Sequence, residues 1–430
     1  MYLQRMYAGH RKNGRGSTSG VKGSNNQGGA SMTGKSQLRD WTGFDPFDES
    51  VRDDPYPHYE LLREQAPCVR LERYGVWLIT RYADSAAVLQ DWETFSSATG
   101  AGLEPAPTPE EGGVILSTDP PEHTRIRRAV ARDFTPKAIR ALEPRLRELV
   151  GQALDAALAE DQFDWVTLVA QPVPTTLMAE LMGYPAQYRE QYCRWASVVF
   201  NSMGCPADGS SDFGPVAEVA GQLYGFVSEL AANREYVPGG WADRIVQAGE
   251  RGELTESEVP SLLGGILVAA MDTTVNMLGN LAHSLAEHPN QWALLVKDPS
   301  LAASAVEESL RYESPVQPGF FRVTTTATEV AGVKLPQGAR VMVGFGSANR
   351  DPRQFPEPDQ FLIDRTPNDH LAMGRGTHFC LGAPVARLMG RVVFEELALR
   401  ATELAVVGEP VRKNNRMLRG FDALPLRIAA

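Results

Sequence analysis

The 430-residue sequence has only four cysteines, at 68, 193, 205 and 380, and no two stand at C-x-x-C spacing. That excludes a cysteine-knuckle metal site, and four is too few for a disulfide framework in a chain this long. A reducing cytoplasm is the expectation. A basic surplus is also missing, since 42 Lys and Arg face 53 Asp and Glu for a net charge of −11. Nucleic acid is excluded as the main partner, because phosphate binding needs clustered cations. A local basic patch could still serve a protein partner. The N-terminus lacks the apolar core of a signal peptide. The best apolar run, Leu262 to Met271, is too short to cross a bilayer, so no membrane association is expected. No internal repeat is present.

What remains is an ordinary globular composition, 43% hydrophobic and 22% charged, able to bury a large core and enclose a cofactor. Residues 1–40 stand apart. They are rich in Gly, Ser, Asn and basic residues and are expected to form a disordered tail, with Met32 as an alternative start. Residues 41–430 form the expected domain. Pro55 opens a helix over 55–66, and Val69–Leu71 and Val76–Thr80 read as short strands around a Tyr-Gly turn. From 119 to about 300 the pattern is mostly helical, including one long helix from about Glu256 to Glu287. Val323–Thr326, Glu329–Val333 and Arg340–Gly344 are β-branched and read as strands. Residues 351–382 form a long irregular stretch, a length that points to function, and 383–402 are helical. The fold class is mainly α with a minor β region.

Four constellations carry chemistry. In Met373-Gly-Arg-Gly-Thr-His-Phe-Cys-Leu-Gly382 a lone cysteine sits in a glycine-rich loop just before a helix. Glycines allow positive φ and close approach to a flat ligand, and a helix N-terminus favours thiolate over thiol. Read alone, Cys380 could equally be an inert buried thiol. Glu308-Ser-Leu-Arg311 places Glu and Arg on one helix face, and such a pair in isolation is usually a surface ion pair. Asp272-Thr273 lies inside the long helix, where both residues are unfavourable and need a compensating role. Asp119-Pro-Pro-Glu-His123-Thr-Arg-Ile-Arg127-Arg128 puts His123 and Arg127 at i,i+4, where the bland alternative is a solvated basic face.

Together these stretches resemble the cytochrome P450 family, whose cysteine loop reads F-G-x-G-x-H-x-C-x-G. The resemblance covers about 50 to 428, with Met373 replacing the usual Phe. It implies a P450 fold around haem b, with Cys380 as axial ligand of the iron and Met373, Gly374 and Gly382 shaping its loop. It implies a buried Glu308–Arg311 pair, joined by Arg365, bracing that loop. Asp272 and Thr273 are implied as the proton relay to dioxygen, with Ala270 where the family has Gly. His123, Arg127, Arg322 and His378 are implied as holders of the haem propionates. Within the family the chain looks most similar to soluble bacterial enzymes that O-demethylate para-substituted benzoates. Val199-Phe-Asn-Ser202, Glu313-Ser-Pro-Val-Gln317, Gly346-Ser-Ala-Asn-Arg-Asp-Pro352 and Leu418-Arg-Gly420 share that flavour. Their carboxylate clamp is absent, since the matching positions are Thr99, Gly265 and Val268.

The resemblance therefore implies a monooxygenase that inserts one atom of O2 into a C–H bond of a small aromatic substrate, such as a methoxyphenol. The pocket candidates are Thr99, Leu103, Phe200 and Met203 on one side. Val268, Met271, Val316 and Phe320 complete them. Some fifty residues follow the cysteine loop, leaving no room for a reductase domain there. Electrons are expected from a separate ferredoxin and ferredoxin reductase, docking on Arg128, Arg375, Arg387 and Arg391. Two rival readings stand beside it. One is a peroxide-driven haem enzyme, which would need no relay. The other is a binding protein without turnover, including a zinc site from His370, His378 and Cys380, which lacks a clear fourth ligand.

Overall fold

A computed structural model describes residues 43–105, 115–206 and 214–429. The expected N-terminal tail lies outside them. Helices dominate and build the larger of two hydrophobic cores. The expected first helix spans Tyr56–Gln65, and the two strands beside it are Cys68–Leu71 and Val76–Ile79. These strands lead a five-stranded sheet that continues through Arg340–Val343, Phe321–Thr324 and Phe95–Ser96. Only the Val76–Ile79 and Arg340–Val343 pair is parallel. The sheet anchors the second, smaller core.

One expected strand does not exist as such. Residues 329–333 are split into Thr328–Val330 and Val333–Leu335, paired as a hairpin. The turn between them holds Ala331 at φ 51° and Gly332 at φ 80°, and Gly332 is a residue that the sequence already marks as a turn. The strand expected at Val323–Thr326 ends at Thr324, and the last helix stops at Ala398 rather than 402.

The long helix spans Glu258–Glu287. It starts with a reciprocal cap. Thr255 N donates to the Glu258 carboxylate at 2.7 Å, and Glu258 N donates to Thr255 Oγ1 at 3.3 Å. Thirty residues make it about 45 Å long, enough to cross the molecule. By length and composition it could span a membrane, contrary to the expectation drawn from its shorter apolar run, but its apolar stretch is mostly buried as a core helix. Val268, at its middle, packs against both cores. Around it the helix loses protein cover: Ala269 is exposed, and Val268, Ala270 and Thr273 are only half-buried. This opening positions the site.

Candidate active site

Helix Ala383–Ala398 begins just after Cys380. The backbone N–H groups of Gly382 and Ala383 hydrogen-bond to the Cys380 sulfur. Burial pushes the thiol up, and these two bonds, with Arg127 and Arg387, oppose it. Cys380 N donates to the Met373 carbonyl at 2.8 Å, closing the loop, while Met373 itself is buried in the helical core. Gly374 and Gly376 take φ +68° and +67°. At Gly376 an added Cβ would meet the Leu89 carbonyl at 2.7 Å, so that glycine permits a close approach of backbone. Gly382 departs from the expectation for all three glycines. Its φ is −79°, and its contribution is the N–H on the sulfur.

His123, Arg127, Arg322 and His378 gather beside this loop. The rings of His123 and His378 lie 4.5 Å apart. Both Nε2 atoms are buried without a hydrogen-bond partner among the described residues. Burial, then Arg127, pushes His123 down to about 4. Burial, then Arg322, His123 and Arg127, pushes His378 down to about 2. Burial takes Arg322 down to about 10, and among the described residues its one hydrogen bond is to the neighbouring Phe321 carbonyl at 2.7 Å. Arg127 donates to the Phe379 carbonyl at 2.8 Å. Four basic side chains crowd together, two with nitrogens unpartnered among the described residues, and Asp119 is the carboxylate that acts on His123 and Arg322.

Glu308, Arg311 and Arg365 are brought together. Both Glu308 oxygens accept from Arg311 at 2.8 Å and from Arg365 Nε at 3.1 Å. The pair is fully buried. Its other partners are Leu362 N, Asn368 Nδ2 and the carbonyls of Asn349, Pro358 and Gln360. The brace therefore grips the 349–368 meander that leads to the cysteine loop, not the loop itself.

Asp272 and Thr273 point to different partners. Thr273 Oγ1 donates to the Ala269 carbonyl at 2.7 Å, which satisfies the hydroxyl within the helix. Asp272 is buried, with Oδ1 3.2 Å from Lys413 Nζ and Oδ2 unpartnered. Burial pushes its carboxyl up and Lys413 opposes this. Lys413 also reaches Asp422, at 3.2 Å. No local pattern in the sequence announced Lys413.

The pocket candidates separate. Leu103, Phe200 and Val316 are buried in the smaller core, with half-buried Met203, Val268 and Phe320 packed against it. Thr99 lies four residues before Leu103 on the same loop. It is exposed, and its hydroxyl accepts from Arg340 at 3.3 Å. Met271 is fully buried in the helical core. Arg340, which sequence reasoning missed, also donates to the carbonyls of Gly100, Gly102 and Glu104. The zinc alternative fails among the described residues, where no His, Cys, Asp and Glu group could hold a metal ion. His370 has both nitrogens engaged, by Glu307 and Ala372 N.

The family-level match is to Cytochrome P450, over residues 241–406. The chain is 36% identical to Cytochrome p450 CYP199A2 of Rhodopseudomonas palustris, covering 90% of this chain and 94% of that one. It is 38% identical to erythromycin C-12 hydroxylase of Saccharopolyspora erythraea, covering 85% and 90%. The chain belongs to the cytochrome P450 family. Solved P450 structures superpose on most of its length. CYP109E1 from Bacillus megaterium, in complex with testosterone, matches with a TM-score of 0.80 at 29% identity, covering 88% of this chain and 99% of that one. A mutant of P450 EryK with erythromycin B matches with a TM-score of 0.80 at 36% identity, covering 88% and 98%.

The chain is thus a P450 monooxygenase of bacterial type, and the family's cofactor is haem b. The residues present fit that group. A P450 haem carries two carboxylates, the acceptors that the orphaned His123 and His378 nitrogens and the under-bonded Arg322 lack. Of the four cations expected to dock the ferredoxin, Arg128 is exposed and three carry ion pairs within the chain. Arg375 pairs with Asp369, Arg387 with Glu307, and Arg391 with Glu143 and Glu395.

Proposed function

We propose that this P450 oxidises a small, weakly acidic aromatic substrate, with Cys380 as the haem ligand and residues 41–430 as one haem-thiolate domain. The observation that carries it is the convergence of unpartnered basic groups, His123 and His378 Nε2, beside a sulfur capped by two backbone N–H groups. His123, Arg127, Arg322 and His378 hold the propionates. The Glu308–Arg311–Arg365 brace fixes the meander that delivers the cysteine loop. Bound there, haem b supplies reductive activation of O2 and insertion of one oxygen atom into a C–H bond, the other atom leaving as water. For a methoxy substrate, hydroxylation of the methyl group ends in loss of formaldehyde.

The chain's own residues hold and move the proton. The Asp272 carboxyl, raised by burial against Lys413 and Ser197, would carry it on Oδ2, which has no hydrogen-bond partner among the described residues. The Thr273 hydroxyl donates to Ala269 and can still accept on its oxygen lone pairs. In this reading Met203, Val268 and Phe320, half-buried on the smaller core, form the substrate side, backed by Leu103, Phe200 and Val316. No cation in this set answers a substrate carboxylate. Arg340, the nearest strong donor to the 99–104 loop, is occupied by carbonyls. This supports an uncharged ring, such as a methoxyphenol, over a benzoate.

Electrons come from a ferredoxin and its reductase. The docking cations are moved to Arg128, Arg132, Lys137 and Arg140, all exposed and without an ion pair among the described residues. They follow Arg127, which touches the cysteine loop. Four free thiols are in keeping with a cytoplasmic protein.

Two measurements test the reading. Cys380→Ala is expected to abolish the thiolate-type Soret band of the reduced CO complex, and a surviving band sinks the ligand assignment. Methoxyphenols are expected to shift the haem spin state and matched benzoates are not. The reverse order overturns the substrate class while leaving the enzyme class standing.

A further inference from the structure

Behind the cysteine loop lies an open cavity of about 320 Å³, lined in part by Glu307, His370, Met373, Phe379 and Arg387. One carboxylate organises it. Arg387 Nε and Nη2 donate to the two Glu307 oxygens at 2.8 and 2.7 Å. His370 Nε2 meets the same Oε2 at 3.2 Å. The Ala372 backbone N–H occupies His370 Nδ1 at 3.2 Å, so Nε2 carries the proton and donates to Glu307. Glu307 therefore joins three segments: its own helix Ala302–Glu313, the approach to the cysteine loop through His370, and helix Ala383–Ala398 through Arg387.

The ion pair sits where its charges matter. Arg387 stands on the helix that starts just after Cys380 and lines the same cavity as Met373 and Phe379 of the cysteine loop, in contrast to Arg391 one turn along, which is tied to Glu143 and Glu395. Burial raises Glu307, but the His370 and Arg387 hydrogen bonds hold it down at about 2, so it stays charged.

We propose that the Glu307–Arg387 ion pair beside the cysteine loop sets the reduction potential of the haem, the Arg387 charge raising it and the Glu307 charge lowering it. The inference rests on Cys380 being the haem ligand. Reducing the iron adds one negative charge to the site. A cation nearby favours the reduced state, and a carboxylate nearby disfavours it.

The test is potentiometric titration of the holoenzyme and three single variants. Arg387→Gln is expected to lower the potential. Glu307→Gln, which keeps an acceptor for Arg387 but loses the charge, is expected to raise it. Arg391→Gln is expected to leave it unchanged. A merely structural role would move the first two variants the same way. Shifts of equal sign, or no shift in Arg387→Gln, overturn the proposal. Arg387 is partly exposed, so that arm does not depend on a buried residue for folding. Should Glu307→Gln lose the thiolate-type band, Glu307→Asp must restore it at the wild-type potential, and failure to do so also overturns the proposal. The underlying reading is tested separately, because its failure appears as a wild-type protein without that band.

Discussion

Arg311 uses all five of its N–H donors inside the protein. Nε and one Nη2 hydrogen bond to Glu308, and the remaining three reach the carbonyls of Asn349, Pro358 and Gln360. A lysine has three donors on one point and cannot reproduce this fork. Arg311→Lys should therefore destabilise the fold by roughly 3–5 kcal/mol, since it breaks a buried pair and strands carbonyls. Chemical denaturation of the haem-free protein checks this, and a change under about 1 kcal/mol would show that the brace is dispensable. The pair itself was readable because Glu308 and Arg311 are three residues apart. Its grip on 349–368 was not, and neither was Glu307, whose partners lie 63 and 80 residues away. Ion pairs at that separation are set by packing and leave no periodic trace in the chain.

Among the elements, the long helix and the 99–104 loop show opposite degrees of legibility. The helix announces itself through apolar periodicity, a reciprocal Thr255–Glu258 cap and a proline after its end. Its misplaced-looking Thr273 is accommodated by the Ala269 carbonyl. The loop's conformation is imposed from a distant strand, where Arg340 gathers the carbonyls of Gly100, Gly102 and Glu104. That loop carries Leu103 into the smaller core, and Phe321 N donates to Ala101 O at 3.1 Å. Arg340→Met should free several carbonyls at once and lower stability by about 2–3 kcal/mol. It should also weaken the spin-state response to a methoxyphenol about tenfold, through a loosened wall. Titration of that response decides the matter. An unchanged half-saturation concentration would mean that the loop is held without Arg340.

At the scale of the whole molecule, the histidines make acid stability depend on the cofactor. The unfolded chain protonates an imidazole near pH 6.5, whereas folded His123 and His283 resist until about pH 4 and His378 until about 2. Their contribution is complete above pH 6.5 and is lost as the pH falls below it, because only the unfolded state binds the proton. At pH 5 each costs roughly 2 kcal/mol. Glu307 and Glu313, both held at about 2 against burial, add a second loss as the pH falls from 4.5 toward 2. Propionates beside His123 and His378 favour their protonated forms and remove most of the first loss at those two positions. His283 lies apart from them, stacked on Phe421 with its rings 4.8 Å away, so its share remains with or without haem. Urea denaturation of the haem-free and haem-bound forms between pH 7 and 5 should therefore show a steeper decline without haem. Parallel declines would mean that the propionates do not lie against these two histidines, whatever the fate of Cys380.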